Sequence, residues 1–114
     1  MSCFDRTRRL LKKSDYDYVF AQAKKVVTSE FIILYRNNSL GYARLGLALS
    51  KKMIPKAHDR NRLKRLLRET FRVKQLPAID VVVLARPGVA KVENTTVNTK
   101  LGKTWDKLIA LSAT

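Results

Sequence analysis

The 114 residues contain one histidine, one cysteine and nine acidic side chains. His58 alone cannot supply both the general acid and the general base that a metal-free ribonuclease of the paired-histidine kind requires. The acids do not cluster as a two-metal site would need: Asp15 and Asp17 are two apart on a predicted helix, and Asp59, Asp80, Glu93 and Asp106 are dispersed. Cys3 has no internal partner, so the chain suits a reducing compartment. Long apolar runs are missing too: Phe31–Tyr35 and Val81–Ala85 are far too short to cross a bilayer, and nothing near the N-terminus resembles a secretory segment. There is no Walker-type loop, Gly-rich fingerprint or Cys/His zinc spacing. These absences argue against a self-sufficient catalyst and suggest a cytoplasmic protein, not a membrane one.

What is present is positive charge. Twenty-four Lys and Arg leave a formal charge of +15 and a pI near 10.5. Most of the excess lies before Gln75. Self-repulsion on this scale points to a polyanionic partner, with nucleic acid favoured over an anionic membrane. Hydrophobic residues at 46% are enough for one core, so 1–114 reads as a single domain with a basic arm at 1–12, and its charge as that of a nucleic-acid-binding one.

The elements read as α-β-β-β-α-β-α. Ser14 is the expected N-cap of a helix over 14–23, with Tyr16, Val19, Phe20 and Ala23 at i, i+3, i+4, i+7. Val26–Ser29, Phe31–Arg36 and Ala43–Leu49 read as two or three strands of an antiparallel meander, with a turn at Asn37–Gly41. A basic loop with Pro55 follows, then a helix over 57–73 whose Leu63, Leu66, Leu67, Thr70 and Phe71 share one face. Asp80–Arg86 reads as a strand buried on both faces. A last helix from Asn94 or Thr95 carries the stripe Val97, Leu101, Trp105, Leu108 and Leu111. The class is α+β: a two-layer sandwich with one mixed four-stranded sheet.

The 57–73 helix carries the chemistry. Lys64, Arg65, Arg68 and Arg72 fall opposite its leucines, with Arg62 at the margin, and Lys51, Lys52 and Lys56 extend the charge through the preceding loop. A charged face is usually just solvated. Here the like charges Lys64–Arg68 and Arg68–Arg72 at i, i+4 work against the helix, which favours a binding role for guanidiniums that match phosphate oxygens. Tyr16 and Phe20, four apart, are either core residues or a stacking platform for single-stranded bases. Trp105 reads as core.

Ser50-Lys51-Lys52, then Ala57, then Arg60-Asn61-Arg62-Leu63-Lys64-Arg65, then Arg68-Glu69-Thr70-Phe71-Arg72 resembles the signature of the bacterial ribonuclease P protein components. Arg9-Leu10, Tyr16 with Phe20, Arg44-Leu45-Gly46-Leu47 and the strand at 80–86 follow in the family's order, so the resemblance covers nearly the whole chain. It implies a fold similar to the second domain of a small-subunit ribosomal protein. It also implies a left-handed β-α-β crossover, where the general rule would have suggested a right-handed one.

The resemblance further implies that a catalytic RNA subunit, with Mg²⁺, performs the hydrolysis. The protein would hold that RNA and the 5′ leader of precursor tRNA, with no cofactor of its own and no obligate protein partner. Carried over residue by residue, Lys51, Lys52, Arg60, Asn61, Arg62, Lys64, Arg65 and Arg68 correspond to the RNA-contacting set. Tyr16, Phe20, Ile33, Tyr35 and Ala48 correspond to the leader cleft. Many members carry Phe where Tyr16 stands, which keeps a stacking face, and Pro55 stands where others often carry Gly. A ribosomal-RNA-binding protein and a stand-alone ribonuclease are the competing readings.

Overall fold

A computed structural model describes residues 8–112. Residues 1–7 of the expected basic arm, Cys3 among them, lie outside the described residues. The elements are α1 (Lys13–Ala21), β1 (Lys24–Val27), β2 (Phe31–Asn37), β3 (Arg44–Ala48), α2 (Ala57–Arg72), β4 (Ile79–Ala85), a 3-10 turn (Val89–Lys91) and α3 (Asn94–Ser112). This is the α-β-β-β-α-β-α order read from the sequence. α1 starts one residue before Ser14, and the Asp15 carboxylate, not the Ser14 hydroxyl, reaches back to accept the Lys12 N–H at 3.4 Å.

The four strands lie in the order β1-β2-β4-β3. β1–β2 and β2–β4 are antiparallel, while β3–β4 is parallel. The expected meander therefore stops after its first pair. The Asn37–Gly41 turn does not close a hairpin onto β3, because β4 takes the place beside β2. With α2 carrying the chain from β3 to the parallel β4, the unit is β-α-β.

β4 explains this arrangement. Its residues Ile79 to Val83 and Ala85 are all buried, as befits a central strand with helices on both sides. Val81, Val83 and Ala85 pack with Ile33, Tyr35 and the stripes of α2 and α3; Val82 packs on the opposite face with Val19 and Leu10. The larger core is closed by Trp105, fully buried, whose ring meets Phe71 edge-on with centroids 5.4 Å apart. The indole N–H is not stranded: it donates to Thr70 Oγ1 at 2.9 Å, and that hydroxyl donates to Leu66 O at 2.8 Å. Of the predicted α3 stripe, Val97, Leu101, Trp105 and Leu108 are buried, and Leu111 is 40% exposed at the helix end.

Candidate nucleic-acid interface

Burial of Leu63, Leu66, Leu67 and Phe71 fixes the rotation of α2 about its axis. The opposite side is thereby committed to solvent. Asn61 and Arg65 are exposed, Lys64 and Arg68 are half-buried on one flank, and Lys51 and Lys52 are exposed on the preceding turn. Lys64, Arg65 and Arg68 make no hydrogen bond or ion pair with protein among the described residues. The acids nearby do not quench them: Asp59 lies 3.7 Å from His58 Nδ1.

Arg60 and Arg62 are placed differently. Arg60 Nη1 donates to the carbonyls of Ile54 (2.8 Å) and Pro55 (3.0 Å), tying down the loop before the helix. Arg62 donates to Ala90 O (2.9 Å), Val92 O (3.2 Å) and Asn94 Oδ1, so one guanidinium pins the 3-10 turn and the start of α3 to α2. Carbonyls do not cancel charge, so both keep their cations. Their fork geometry is nevertheless largely used inside the protein.

On the Lys64–Arg68 flank a cleft of about 120 Å³ opens along the β3 edge, lined by Arg9, Leu10, Leu11, Tyr16, Leu45, Leu47, Lys64 and Arg68. Local backbone bonding builds it. Residue 9 pairs in parallel with Leu45, and Leu10 N–H donates to Leu45 O at 3.0 Å, so the end of the arm is tied to the β3 edge by one isolated bridge. Tyr16 leans from α1 across β3, where its hydroxyl accepts the Leu47 N–H at 3.1 Å. Its ring sits over Gly46, and a Cβ there would fall 2.9 Å from two ring carbons and from Leu10 Cδ1. Only glycine permits this approach. The cleft has three cations and no carboxylate in its walls. Partial burial, and then the charge of Arg9, hold the Arg68 pKa below its ordinary value, although a guanidinium stays charged at neutral pH. Like charges held together at reduced hydration favour an incoming anion.

The structure brings Tyr16 together with Lys64 and Arg68, but it separates two residues expected in the leader cleft. Ile33 (0% exposed) and Tyr35 (5%) turn to the other side of the sheet and pack under α2 and α3. Strand alternation gives the reason: side chains at 31, 33 and 35 share the large core, so those at 32, 34 and 36 share the α1 face. Leu34, with Leu84 from the adjacent strand, lies among the half-buried apolar groups beside Tyr16, Ala23 and Ala48. Phe20 is 48% exposed on α1, four residues from Tyr16. The α1 side thus carries Tyr16, Phe20, Ala48, Leu34 and Leu84. Sequence reasoning missed the last two because β2 and β4 are each apolar on both faces.

Sequence reasoning also passed over the group that seats α1. Asp80 is fully buried at the start of β4. Arg44 holds it bidentately, with Nε and Nη2 at 2.9 and 2.7 Å, and Asn38 Nδ2 donates at 2.7 Å. Arg44 also faces Asp15 of α1 at 3.6 Å. The hydrogen bond to Asp80 raises the Arg44 pKa further, burial opposing it. Among the described residues no group of three or more His, Cys, Asp or Glu could hold a metal ion. No helix among them is long and apolar enough to cross a membrane.

Comparison with known proteins gives a consistent result. Residues 4–109 match the family described as Ribonuclease P. A ribonuclease P protein component from Legionella pneumophila (strain Corby) is 66% identical over 108 residues, which is 95% of each chain. Among solved structures, the Staphylococcus aureus RNase P protein superposes with a TM-score of 0.80 at 28% identity, covering 89% of this chain and 94% of that one. The Thermotoga maritima RNase P protein superposes with a TM-score of 0.77 at 32% identity, covering 87% and 96%.

Proposed function

The chain belongs to the ribonuclease P protein family, and from that premise we propose that it binds the catalytic RNA of ribonuclease P and the 5′ leader of precursor tRNA. The outer face of α2, with Asn61, Lys64, Arg65 and Arg68, meets RNA phosphates. Lys51 and Lys52 add to it from the preceding turn. The leader runs beside α1, where Tyr16 and Phe20 stack on bases and Leu34, Leu84 and Ala48 give the apolar floor. The RNA subunit, with its Mg²⁺, carries out the hydrolysis; this polypeptide positions the substrate.

The observation that carries the reading is the adjacency of Tyr16 to Lys64 and Arg68 around one carboxylate-free cleft. A stacking face beside fixed cations suits a single strand, whose bases are unstacked and whose phosphates are close at hand. A duplex shields its bases. Mature tRNA lacks the leader, so gripping the leader distinguishes precursor from product without any base code.

The test is reconstitution. Adding the folded protein to a bacterial catalytic RNA should restore precursor-tRNA cleavage at low Mg²⁺, and stimulation should grow with leader length. A folded protein that gives no stimulation refutes the assignment. Stimulation that ignores leader length would leave a scaffold for the RNA and refute the leader site.

A further inference from the structure

α1 has two flanks, and the proposed leader path uses one. Tyr16 and Phe20 lie on that flank. Tyr18 and Gln22, also one helical turn apart, lie on the other. There a second cavity of about 410 Å³ is lined by Tyr18, Gln22, Ala23, Lys24, Tyr35, Arg36 and Asn37. Two of these residues are cations and none is an acid.

The aromatic at this site is set in place. The Arg36 guanidinium lies over the Tyr18 ring, 3.7 Å from its centroid. Arg36 also donates to Tyr18 O at 2.6 Å and to Gln22 Oε1 at 3.4 Å, and the Tyr18 hydroxyl donates to Asn37 O at 2.8 Å. The ring remains 40% exposed. Arg36 meets a carbonyl in the last turn of α1, which offsets the negative end of the helix dipole that would otherwise repel an anion. Lys24 opens the edge strand β1 opposite Tyr35, is exposed where it lines the cavity, and its ammonium has no hydrogen bond or ion pair among the described residues. A helix brace alone would account for Arg36. It accounts for neither the uncompensated Lys24 nor the half-open ring beside a roomy cavity.

We propose that this second flank of α1 binds one unpaired RNA nucleotide: Tyr18, stiffened by Arg36, stacks on the base, and Lys24 meets its phosphate. The inference rests on the reading of the chain as an RNA-binding subunit. The nucleotide comes from either RNA in the holoenzyme, and α1 is then held between two RNA segments.

The experiment places the photo-crosslinking residue p-benzoylphenylalanine at Gln22, and in a second protein at Arg65, within holoenzyme carrying precursor tRNA. The two RNAs bear different labels. Crosslinks from both positions are expected, and the label at the Gln22 position identifies the source. Crosslinking from Arg65 but none from Gln22, or only to protein, overturns the second site and leaves the α2 reading standing. Absence from Arg65 with RNA bound overturns the α2 reading instead. Lys24→Ala, a change at an exposed unpaired side chain, should weaken the crosslinked RNA by about three- to tenfold and lower the salt dependence of its binding by about 0.7–0.9 log units. Unchanged affinity and slope would contradict the phosphate contact.

Discussion

Five cations in the nine residues from Arg60 to Arg68 divide into two groups with different work. Arg60 and Arg62 direct their guanidiniums at backbone carbonyls of the flanking loop and of the 3-10 turn with its cap, and Arg62 also at the Asn94 side chain that opens α3. Lys64, Arg65 and Arg68, one to two turns later, have no such partners. A basic run that looks uniform in sequence is therefore part brace and part open surface. The braces hold α2 against its preceding loop, the 3-10 turn and the start of α3, and that placement gives the open cations their spacing.

The largest effect should come from cutting a brace. Arg62→Ala removes charge-assisted hydrogen bonds to Ala90, Val92 and Asn94 and leaves those acceptors to water, at a cost of about 2–3 kcal/mol. Urea unfolding measures this, and a loss within error would erase the distinction between the two groups. Gly46→Ala comes next. Its new methyl would press on the Tyr16 ring and Leu10, costing about 1–3 kcal/mol. The displaced Tyr16 should also weaken precursor tRNA more than mature tRNA in a filter-binding comparison.

Arg65→Ala belongs to the open group, so stability should stay within about 0.5 kcal/mol while RNA affinity falls. A destabilisation as large as that of Arg62→Ala would sink the contrast. The smallest effect sits at Glu30, which is buried where β2 begins and bound to Lys100 and Ser29. Burial acts to push its carboxyl pKa up, but the hydrogen bonds from Lys100 and Ser29 and the Lys100 charge bring it below the ordinary value of 4.5. A depressed folded pKa means that this stability is present above the unfolded value and disappears as pH falls through the folded one. Glu30→Gln should therefore flatten the acid limb of a melting-temperature profile and leave the region above pH 7 unshifted in slope.

The sequence displayed the elements whose pattern is local. The α2 stripe and Trp105 follow from periodicity, the doubly buried strand, expected at 80–86 and found at Ile79–Ala85, follows from an unbroken apolar run, and the outward direction of Lys64, Arg65 and Arg68 follows from the α2 stripe. Where the sequence misled, the missing information was long-range. β2 offers Phe31, Ile33 and Tyr35 on one face and Ile32 and Leu34 on the other, and nothing local says which face meets α1. The Asn37–Gly41 turn has hairpin chemistry, yet β4, forty residues later, pairs with β2 in place of β3. Arg62 finds its carbonyls about thirty residues downstream. No spacing rule announces that partnership.

One comparison addresses the central division most directly: the salt dependence of precursor-tRNA affinity for holoenzymes carrying the combined changes Lys64→Ala, Arg65→Ala and Arg68→Ala, against the unaltered protein. Each lost phosphate contact should lower the slope of log affinity against log salt by about 0.7–0.9. A slope unchanged by the triple replacement, in a protein that still folds and still joins the catalytic RNA, would mean that the open face of α2 meets solvent and not phosphate.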